Sequence, residues 1–223
     1  MTVKSLIAHL FHIVTNIEQG FTYTIISLFR RPGTVIADYV NGATRRYYHP
    51  LRYLLLMSGF AVLMSSTLDF EKILMQSSQI TGVELTPEAL ALQKKTYEIV
   101  VKYMSVVYVA LIPLMSLGSF LIFRRRGFNY AEHMVGNAYL YGQLSLISLI
   151  TSNLYRIPNW ITVMGVINFM VTLLLSTWFY KTWFQLRWPR AIFLTIIAIM
   201  ISYIFIGLAS GVISIVWALK DIQ

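Results

Sequence analysis

The stretch that decides the fold is Ala191–Leu219, which reads AIFLTIIAIMISYIFIGLASGVISIVWAL. Its 29 residues include no charged side chain. A helix rises about 1.5 Å per residue and the hydrocarbon core of a bilayer is about 30 Å thick, so roughly 20 apolar residues are enough to cross it. This stretch therefore predicts a transmembrane helix that is long enough to tilt or to project beyond the core.

Four more uncharged runs precede this stretch. They are Tyr53–Leu68, Tyr103–Phe123, Met134–Tyr155 and Ile157–Tyr180. Together the five runs predict spans at about 50–68, 100–123, 131–153, 158–180 and 191–218, with an external loop at 69–98. The predicted fold class is an all-α membrane protein with five transmembrane helices in a domain at 50–223.

The composition agrees with this class and excludes others. Hydrophobic residues make up 57% of the 223 residues and charged residues 12%, against about 45–50% and 25% in soluble domains. Disorder, collagen and a soluble enzyme domain are excluded on this ground. The absence of Cys also excludes disulfides, thiolate metal sites and Cys nucleophiles.

The positive charges indicate the orientation. Twelve of the 18 Lys and Arg residues fall in 1–52, 124–130 and 181–190, which the five spans place on one side. The positive-inside rule then predicts a cytoplasmic N-terminus and an external C-terminus. The net charge of +9 is expected to orient the chain and to attract anionic lipid headgroups at the cytoplasmic face, not nucleic acid.

The first 49 residues are predicted to form an amphipathic cytoplasmic or interfacial region. Apolar residues recur at steps of three and four from Val3 to Leu28, a pattern that suits a helix lying in the headgroup layer. The alternative is an ordinary helix that packs on the spans. Arg30–Gly33 should break this helix, and Thr34 could cap a second, short helix at Val35–Asn41.

The third predicted span carries a polar stripe. Its members, spaced by three or four residues along one face, are His133, Asn137, Tyr141, Ser145 and Ser148. Gln143 lies on the adjoining face, and Asn168 of the fourth span could meet the stripe. One interpretation is interhelical hydrogen bonding. The other is a polar cavity that opens to the cytoplasm and receives a lipid headgroup or a small solute.

In the second interpretation, arginines at the mouth of the cavity would contact phosphate. The candidate lipid- or ligand-binding residues are Arg45, Arg46, Arg124, Arg125, Arg126, His133, Asn137, Tyr141 and Gln143. Phosphate loops, dinucleotide loops, zinc-protease helices and nucleophile elbows are absent from the sequence, so no enzyme activity, cofactor or metal is expected. An enzyme acting on lipid with Glu132 and His133 as acid and base is the alternative.

Two blocks of the sequence resemble domain-of-unknown-function family 3667. The first block comprises Glu18–Thr24, Leu28–Gly33, Tyr39–Gly42, Arg45-Arg46 and His49-Pro50, and the second comprises Arg125–His133 with Asn137 and Gly142-Gln143. The resemblance implies a small polytopic bacterial membrane protein of unestablished function, which we expect in the bacterial inner membrane. Many relatives begin with a Cys-rich zinc ribbon; this chain has no Cys, so zinc is not implied.

The sequence favours a non-catalytic function: binding anionic lipid and organising or assisting other membrane components, including other membrane proteins. A transporter or channel subunit that uses the third-span stripe is the alternative. Gly207 and Gly211 form a small-xxx-small pair, which favours close helix packing or a homo-oligomer.

Overall fold

The described part of the chain is helical. The structure, a computed structural model, describes residues 20–67, 73–75, 78, 86–151, 154, 157 and 160–220. No strand occurs among these residues, so the all-α prediction is confirmed for them. The helix predicted from Val3 onward lies outside the described residues as far as position 19, as does most of the predicted external loop.

The described helices follow one another along the chain, and the segment between α3 and α4 is much longer than the other connections. They are α1 (Phe21–Arg30), α2 (Pro32–Val40), α3 (Pro50–Ser65), α4 (Pro87–Phe123), a 3₁₀ turn (Arg124–Arg126), α5 (Tyr130–Thr151), α6 (Ile161–Trp183) and α7 (Trp188–Lys220). Proline occupies the first turn of α2, α3 and α4, where its missing N–H leaves no hydrogen bond unmade.

Local signals explain where α2 and α4 begin. Thr86 caps α4, since its hydroxyl accepts a hydrogen bond from the backbone N–H of Ala89 at 3.3 Å. The start of α2 differs from the prediction, which placed it at Val35 after a Thr34 cap. Pro32 takes the first helical position instead, because its fixed φ already suits a helix.

The bundle has two central helices, α4 and α5. They pack against each other and both contact α3, while α6 packs on α5 and α7 packs on α4 and α6. Because successive helices run in opposite directions, α3, α5 and α7 begin at the end of the bundle where α4 and α6 finish. We call this end the arginine end, since Arg124–Arg126 lie there.

Among the residues that the structure describes, three helices are long and apolar enough to cross a membrane. The stretches are Val106–Arg126, Val163–Trp183 and Trp188–Ala209. The prediction of five spans is not confirmed, for two physical reasons. α3 has 16 residues, or about 24 Å of helix, which is shorter than the hydrocarbon core, and α5 is interrupted by polar side chains such as His133, Asn137 and Gln143.

The N-terminal helices pack on the bundle. Phe21 and Leu28 of α1 and Val35 and Ile36 of α2 are buried in the main hydrophobic core. α2 lies against α6, and α1 contacts both α2 and α5. The described helices of the N-terminal region therefore pack on the bundle, while the interfacial position of residues 1–49 stays a prediction.

Candidate functional site

The polar stripe on α5 divides into two parts with different surroundings. His133 and Asn137 lie in the half of α5 nearer the arginine end and are fully buried. Tyr141, Ser145 and Ser148 follow about 17 to 27 Å from the start of the helix, where they line a cavity. The residues that the sequence placed on one helix face therefore belong to two separate sites in the structure.

We call the first site the Asn137 network. Its five residues come from three helices: Ser116 and Ser119 of α4, His133 and Asn137 of α5, and Tyr180 of α6. Every one of them is at most 5% exposed.

Asn137 joins these helices through both ends of its amide. Its Nδ2 donates to the Ser119 hydroxyl at 2.8 Å, to the Ser116 hydroxyl at 3.2 Å and to the carbonyl oxygen of His133 at 2.9 Å. Its Oδ1 accepts from the Tyr180 hydroxyl at 2.8 Å. Since α4 and α6 both reach the same amide, Asn137 fixes the register of three helices.

Aromatic rings enclose the remaining side of His133. Its Nδ1 shares a hydrogen bond with the Ser119 hydroxyl at 3.0 Å, and its ring lies 5.1 Å from Trp183 and 5.6 Å from Phe184 between centroids. The Nε2 atom is buried and has no hydrogen-bond partner among the described residues. In this arrangement the His133 ring packs between α4 and the aromatic side chains at the end of α6.

Glu132 does not pair with His133. Its carboxylate accepts from the backbone N–H of Asn129 at 2.6 Å, while its own N–H donates to the Asn129 side chain at 3.0 Å. These reciprocal bonds form a capping box at the start of α5. In this position Glu132 stabilises a helix end.

We call the second site the Tyr141 cavity. It encloses about 270 Å³ between α4, α5, α6 and α7. The polar side chains in its wall are Tyr108, Tyr141, Ser145, Ser148, Asn168, Thr172 and Tyr203. Asn168 meets the stripe here, as the sequence suggested, but the cavity lies in the half of the bundle away from the arginine end.

Gln143 belongs to neither site. Its Oε1 accepts a short hydrogen bond from the Tyr53 hydroxyl of α3, and its Nε2 has no partner within the described part of the chain. One turn earlier, the Tyr139 hydroxyl donates to the carbonyl oxygen of Tyr48 at 2.7 Å. This face of α5 therefore holds α3 and the chain that leads into it.

The candidate arginines are exposed and fall into two groups. Arg45 and Arg46 lie between α2 and α3, whereas Arg124–Arg126 form the 3₁₀ turn after α4. The Arg46 guanidinium lies 5.0 Å from the ring centre of Tyr23 and 5.8 Å from that of Tyr47. None of the side-chain contacts between described residues joins the two groups, and neither group lies in the wall of the Tyr141 cavity.

Tyr47 anchors the first arginine group. Burial raises the pKa of this phenol, and the Asp38 carboxylate that accepts its hydrogen at 2.7 Å raises it further. The hydroxyl therefore stays protonated and keeps the ring in place under Arg46. An aromatic face within 6 Å of a guanidinium contributes about 0.5–1 kcal/mol at an exposed site.

Several residues of these sites are absent from the sequence-based candidates. Ser116, Ser119 and Tyr180 complete the Asn137 network, and Tyr108 and Tyr203 complete the Tyr141 cavity. Single polar residues in apolar runs were the only signal for them. Their helix partners could not be read from spacing within one helix.

Close backbone approach is a second feature that the sequence reasoning missed. A Cβ added at Gly33 would collide with the backbone of Thr182 and Trp183, and the Gly33 N–H donates to the Thr182 hydroxyl at 3.1 Å. A Cβ added at Gly136 would collide with the Trp183 ring. The absence of a side chain at Gly33 lets α2 lie directly on the end of α6, and its absence at Gly136 makes room for the Trp183 ring against α5.

The first block of the family resemblance is built around these contacts. Gly20 has φ +136, a left-handed value that favours glycine, and its carbonyl accepts from the Thr24 hydroxyl at 2.7 Å. The same hydroxyl accepts from the N–H of Tyr48 at 2.8 Å. In this chain the block docks α1 and α2 onto the arginine end of the bundle.

In the part of the chain that the structure describes, no three His, Asp or Glu side chains come close enough to hold a metal ion.

No curated protein and no solved structure matches the chain. The model of one family does match: residues 18–62, which include α1, α2 and most of α3, match the family described as protein of unknown function (DUF3667), and the resemblance is confirmed over that stretch.

Proposed function

We propose that this protein is a non-catalytic integral protein of the bacterial inner membrane that binds anionic lipid at its arginine end and organises other membrane components. All five helices α3 to α7 cross the bilayer in this proposal, with the N-terminus cytoplasmic. The observation that carries it is the placement of arginine. The ten arginines of the described residues are all exposed and lie at the arginine end: Arg30, Arg31, Arg45, Arg46, Arg52, Arg124, Arg125, Arg126, Arg187 and Arg190.

The energetics favour lipid headgroups over solvent for such an array. A basic residue next to an anionic leaflet contributes about 1 kcal/mol, and this attraction falls off within a Debye length of about 8 Å at physiological salt. The 3₁₀ turn Arg124–Arg126 presents three guanidinium groups at one helix end. A guanidinium can bind a phosphate oxygen pair in bidentate fashion, so headgroup phosphates suit this surface.

Lysines at the opposite end provide a matched control. Lys94, Lys95 and Lys102 of α4 are exposed and lie far along the helix from Arg124–Arg126. The triple variant R124Q/R125Q/R126Q and the triple variant K94Q/K95Q/K102Q remove the same charge from opposite ends. Spin-labelled phosphatidylglycerol and phosphatidylcholine measure the preference for anionic lipid in mixed vesicles.

We expect the unmodified protein to prefer phosphatidylglycerol several-fold, and this preference should weaken as salt is raised. The arginine variant should lose most of the preference and the lysine variant little of it. Equal association of the two lipids with the unmodified protein, or equal losses in the two variants, would contradict the proposal.

A second candidate function is a small-solute transporter or channel subunit. The Tyr141 cavity favours it, since a space of about 270 Å³ with polar walls accommodates a small polar molecule. The Ser148→Leu variant would reduce that space. Flux of small solutes into vesicles that contain the protein should then fall. Absence of flux in the unmodified protein, or unchanged flux in the variant, would exclude this candidate.

A further inference from the structure

The Tyr141 cavity adjoins an apolar groove between α6 and α7. The groove encloses about 450 Å³ and shares Asn168, Thr172 and Tyr203 with the wall of the cavity. Its other walls are aliphatic or aromatic, among them Phe169, Ile196 and Met200. A polar compartment and an apolar one therefore meet at three residues.

The polar compartment has uncommitted hydrogen-bonding groups. The hydroxyls of Tyr108, Tyr141 and Tyr203 donate to no other residue in the described ranges of the chain. The Ser145 and Ser148 hydroxyls donate back to carbonyl oxygens of α5 at 2.9 Å, which leaves their oxygens as acceptors. The cavity thus offers phenol donors and serine acceptors at the same time.

The wall carries no Asp, Glu, Lys, Arg or His in either compartment, within the residues the structure describes. A charged group at this depth of a membrane would be costly without a partner of opposite charge. The chemistry of the wall therefore selects an uncharged polar group that can both donate and accept hydrogen bonds. A hydroxyl, alone or beside an ester, meets this requirement.

The apolar compartment opens on the outer surface of the bundle. Phe169, Met200 and Tyr203 are 61%, 59% and 64% exposed. They lie on two of the helices long and apolar enough to cross a membrane, where lipid chains are the natural neighbours. A hydrocarbon chain can enter the groove from the side while its polar end occupies the cavity.

We propose that the Tyr141 cavity and the α6–α7 groove together bind an uncharged lipid with a hydroxyl group and at least one long hydrocarbon chain. Diacylglycerols and long-chain alcohols share this chemistry. The site is separate from the arginine end, so it does not depend on the binding of anionic lipid there. It gives the protein a second lipid specificity, based on hydrogen bonds and shape instead of charge.

The test uses the full chain in vesicles that contain a diacylglycerol with a photoreactive group in its acyl chain. Mass spectrometry of the peptides then locates the label. We expect the label on α6 and α7 around Thr172 and Tyr203. Unlabelled diacylglycerol or a long-chain alcohol should compete, and the one that competes better identifies the source; an alkane and phosphatidylglycerol should not compete.

Two substitutions on α6 form a matched pair. Thr172→Phe adds bulk where the cavity and the groove meet, and Leu174→Phe adds bulk at a side chain that is 65% exposed and lines neither compartment. Labelling should fall at least about fivefold in the first variant, which is about 1 kcal/mol, and stay within twofold in the second. Equal labelling of the two variants would overturn the proposal.

Tyr203→Phe keeps the ring and removes one hydroxyl, so it tests the polar end of the site without adding bulk. The preference for the free alcohol over its acetate ester as competitor should shrink by roughly threefold. Competition by an alkane as strong as by the alcohol would show a groove without headgroup selection and would overturn the proposal. Loss of labelling in R124Q/R125Q/R126Q would also overturn it, because the label would then report the arginine end.

Discussion

The Asn137 network and the Tyr141 cavity lie on the same face of α5 but differ in what their neighbours supply. Around Asn137, α4 and α6 contribute hydroxyls at hydrogen-bonding distance, and the polar groups close on one another. Around Tyr141, α4 and α7 contribute tyrosines that make no such bonds to other described residues, and a cavity remains. The same polar spacing produces either a sealed joint or an open site, depending on the facing helices.

This difference suggests a division of labour along the bundle. The sealed part joins α4, α5 and α6 near the docked helices α1 and α2, where arginine is concentrated. The open part lies farther along the same helices and retains polar groups for a ligand. Substitutions that remove the same chemical group from each part should therefore have unequal effects on stability.

The largest effect is expected for Asn137→Leu. The substitution keeps the size of the side chain but removes the amide that joins four hydrogen-bonding groups, and the hydroxyl of Tyr180 then loses its acceptor. With about 0.6 to 1.7 kcal/mol for each interhelical contact, the free energy of unfolding should fall by about 3 kcal/mol. Reversible unfolding in detergent micelles measures this change.

The Thr172→Val variant is the control for Asn137→Leu, since it removes a polar group from the cavity wall. It should change the free energy of unfolding by less than about 1 kcal/mol. Similar decreases in the free energy of unfolding of both variants would mean that polar groups in the Asn137 network and in the Tyr141 cavity contribute equally to stability.

Gly136→Ala should have the next largest effect and lower the free energy of unfolding by about 2 kcal/mol. The added methyl group collides with the Trp183 ring, which covers His133. The ring must move, and the enclosure of the network opens. Thermal unfolding and the accessibility of Trp183 to a fluorescence quencher measure the two consequences.

Gly165→Ala controls for the change of residue type, because nothing lies within 4 Å of a Cβ at this position of α6. The free energy of unfolding of the Gly165→Ala variant should stay the same or rise slightly, since alanine favours a helix. A stable Gly136→Ala variant with a well-protected Trp183 would show that the enclosure is looser than the contacts indicate.

The sequence predicted several parts of this arrangement. The uncharged runs located α3 to α7 because a continuous apolar helix is a local property. Periodicity placed His133 and Asn137 on one face of α5. The docking of α2 at Gly33 was not predicted, since it depends on backbone contact with Thr182, far away in the chain.

The division of the stripe was beyond the sequence for a related reason. Whether Asn137 is sealed depends on the register of α4 and α6, which brings Ser119 and Tyr180 to its amide. A single sequence does not contain this register. The predicted opening toward the arginines therefore remains a prediction, while the described cavity lies in the other half of the bundle.

Tyr180→Phe should have an effect of about 1 kcal/mol, since it removes a single buried hydroxyl that donates to Asn137. The same substitution at Tyr203, in the cavity, should cost less than about 0.5 kcal/mol because that hydroxyl has no hydrogen-bond partner among the described residues. Denaturant titrations of the two variants, run side by side, measure the difference. Equal decreases in the free energy of unfolding would show that the two hydroxyls form equally strong hydrogen bonds, which would contradict the difference between the network and the cavity.

The smallest effect is expected for Ser148→Ala, which removes a hydroxyl whose one hydrogen bond among the described residues is to the carbonyl oxygen of Ser145 in its own helix. A serine that bonds back to its helix adds little stability, so the free energy of unfolding should change by less than about 0.5 kcal/mol. Ser119→Ala deletes the same group in the Asn137 network, where the hydroxyl contacts both Asn137 and His133, and should cost about 1 to 2 kcal/mol. If Ser148→Ala proved the more harmful of the two, the cavity and not the network would hold α5 in place, and the division of labour along this helix would be reversed.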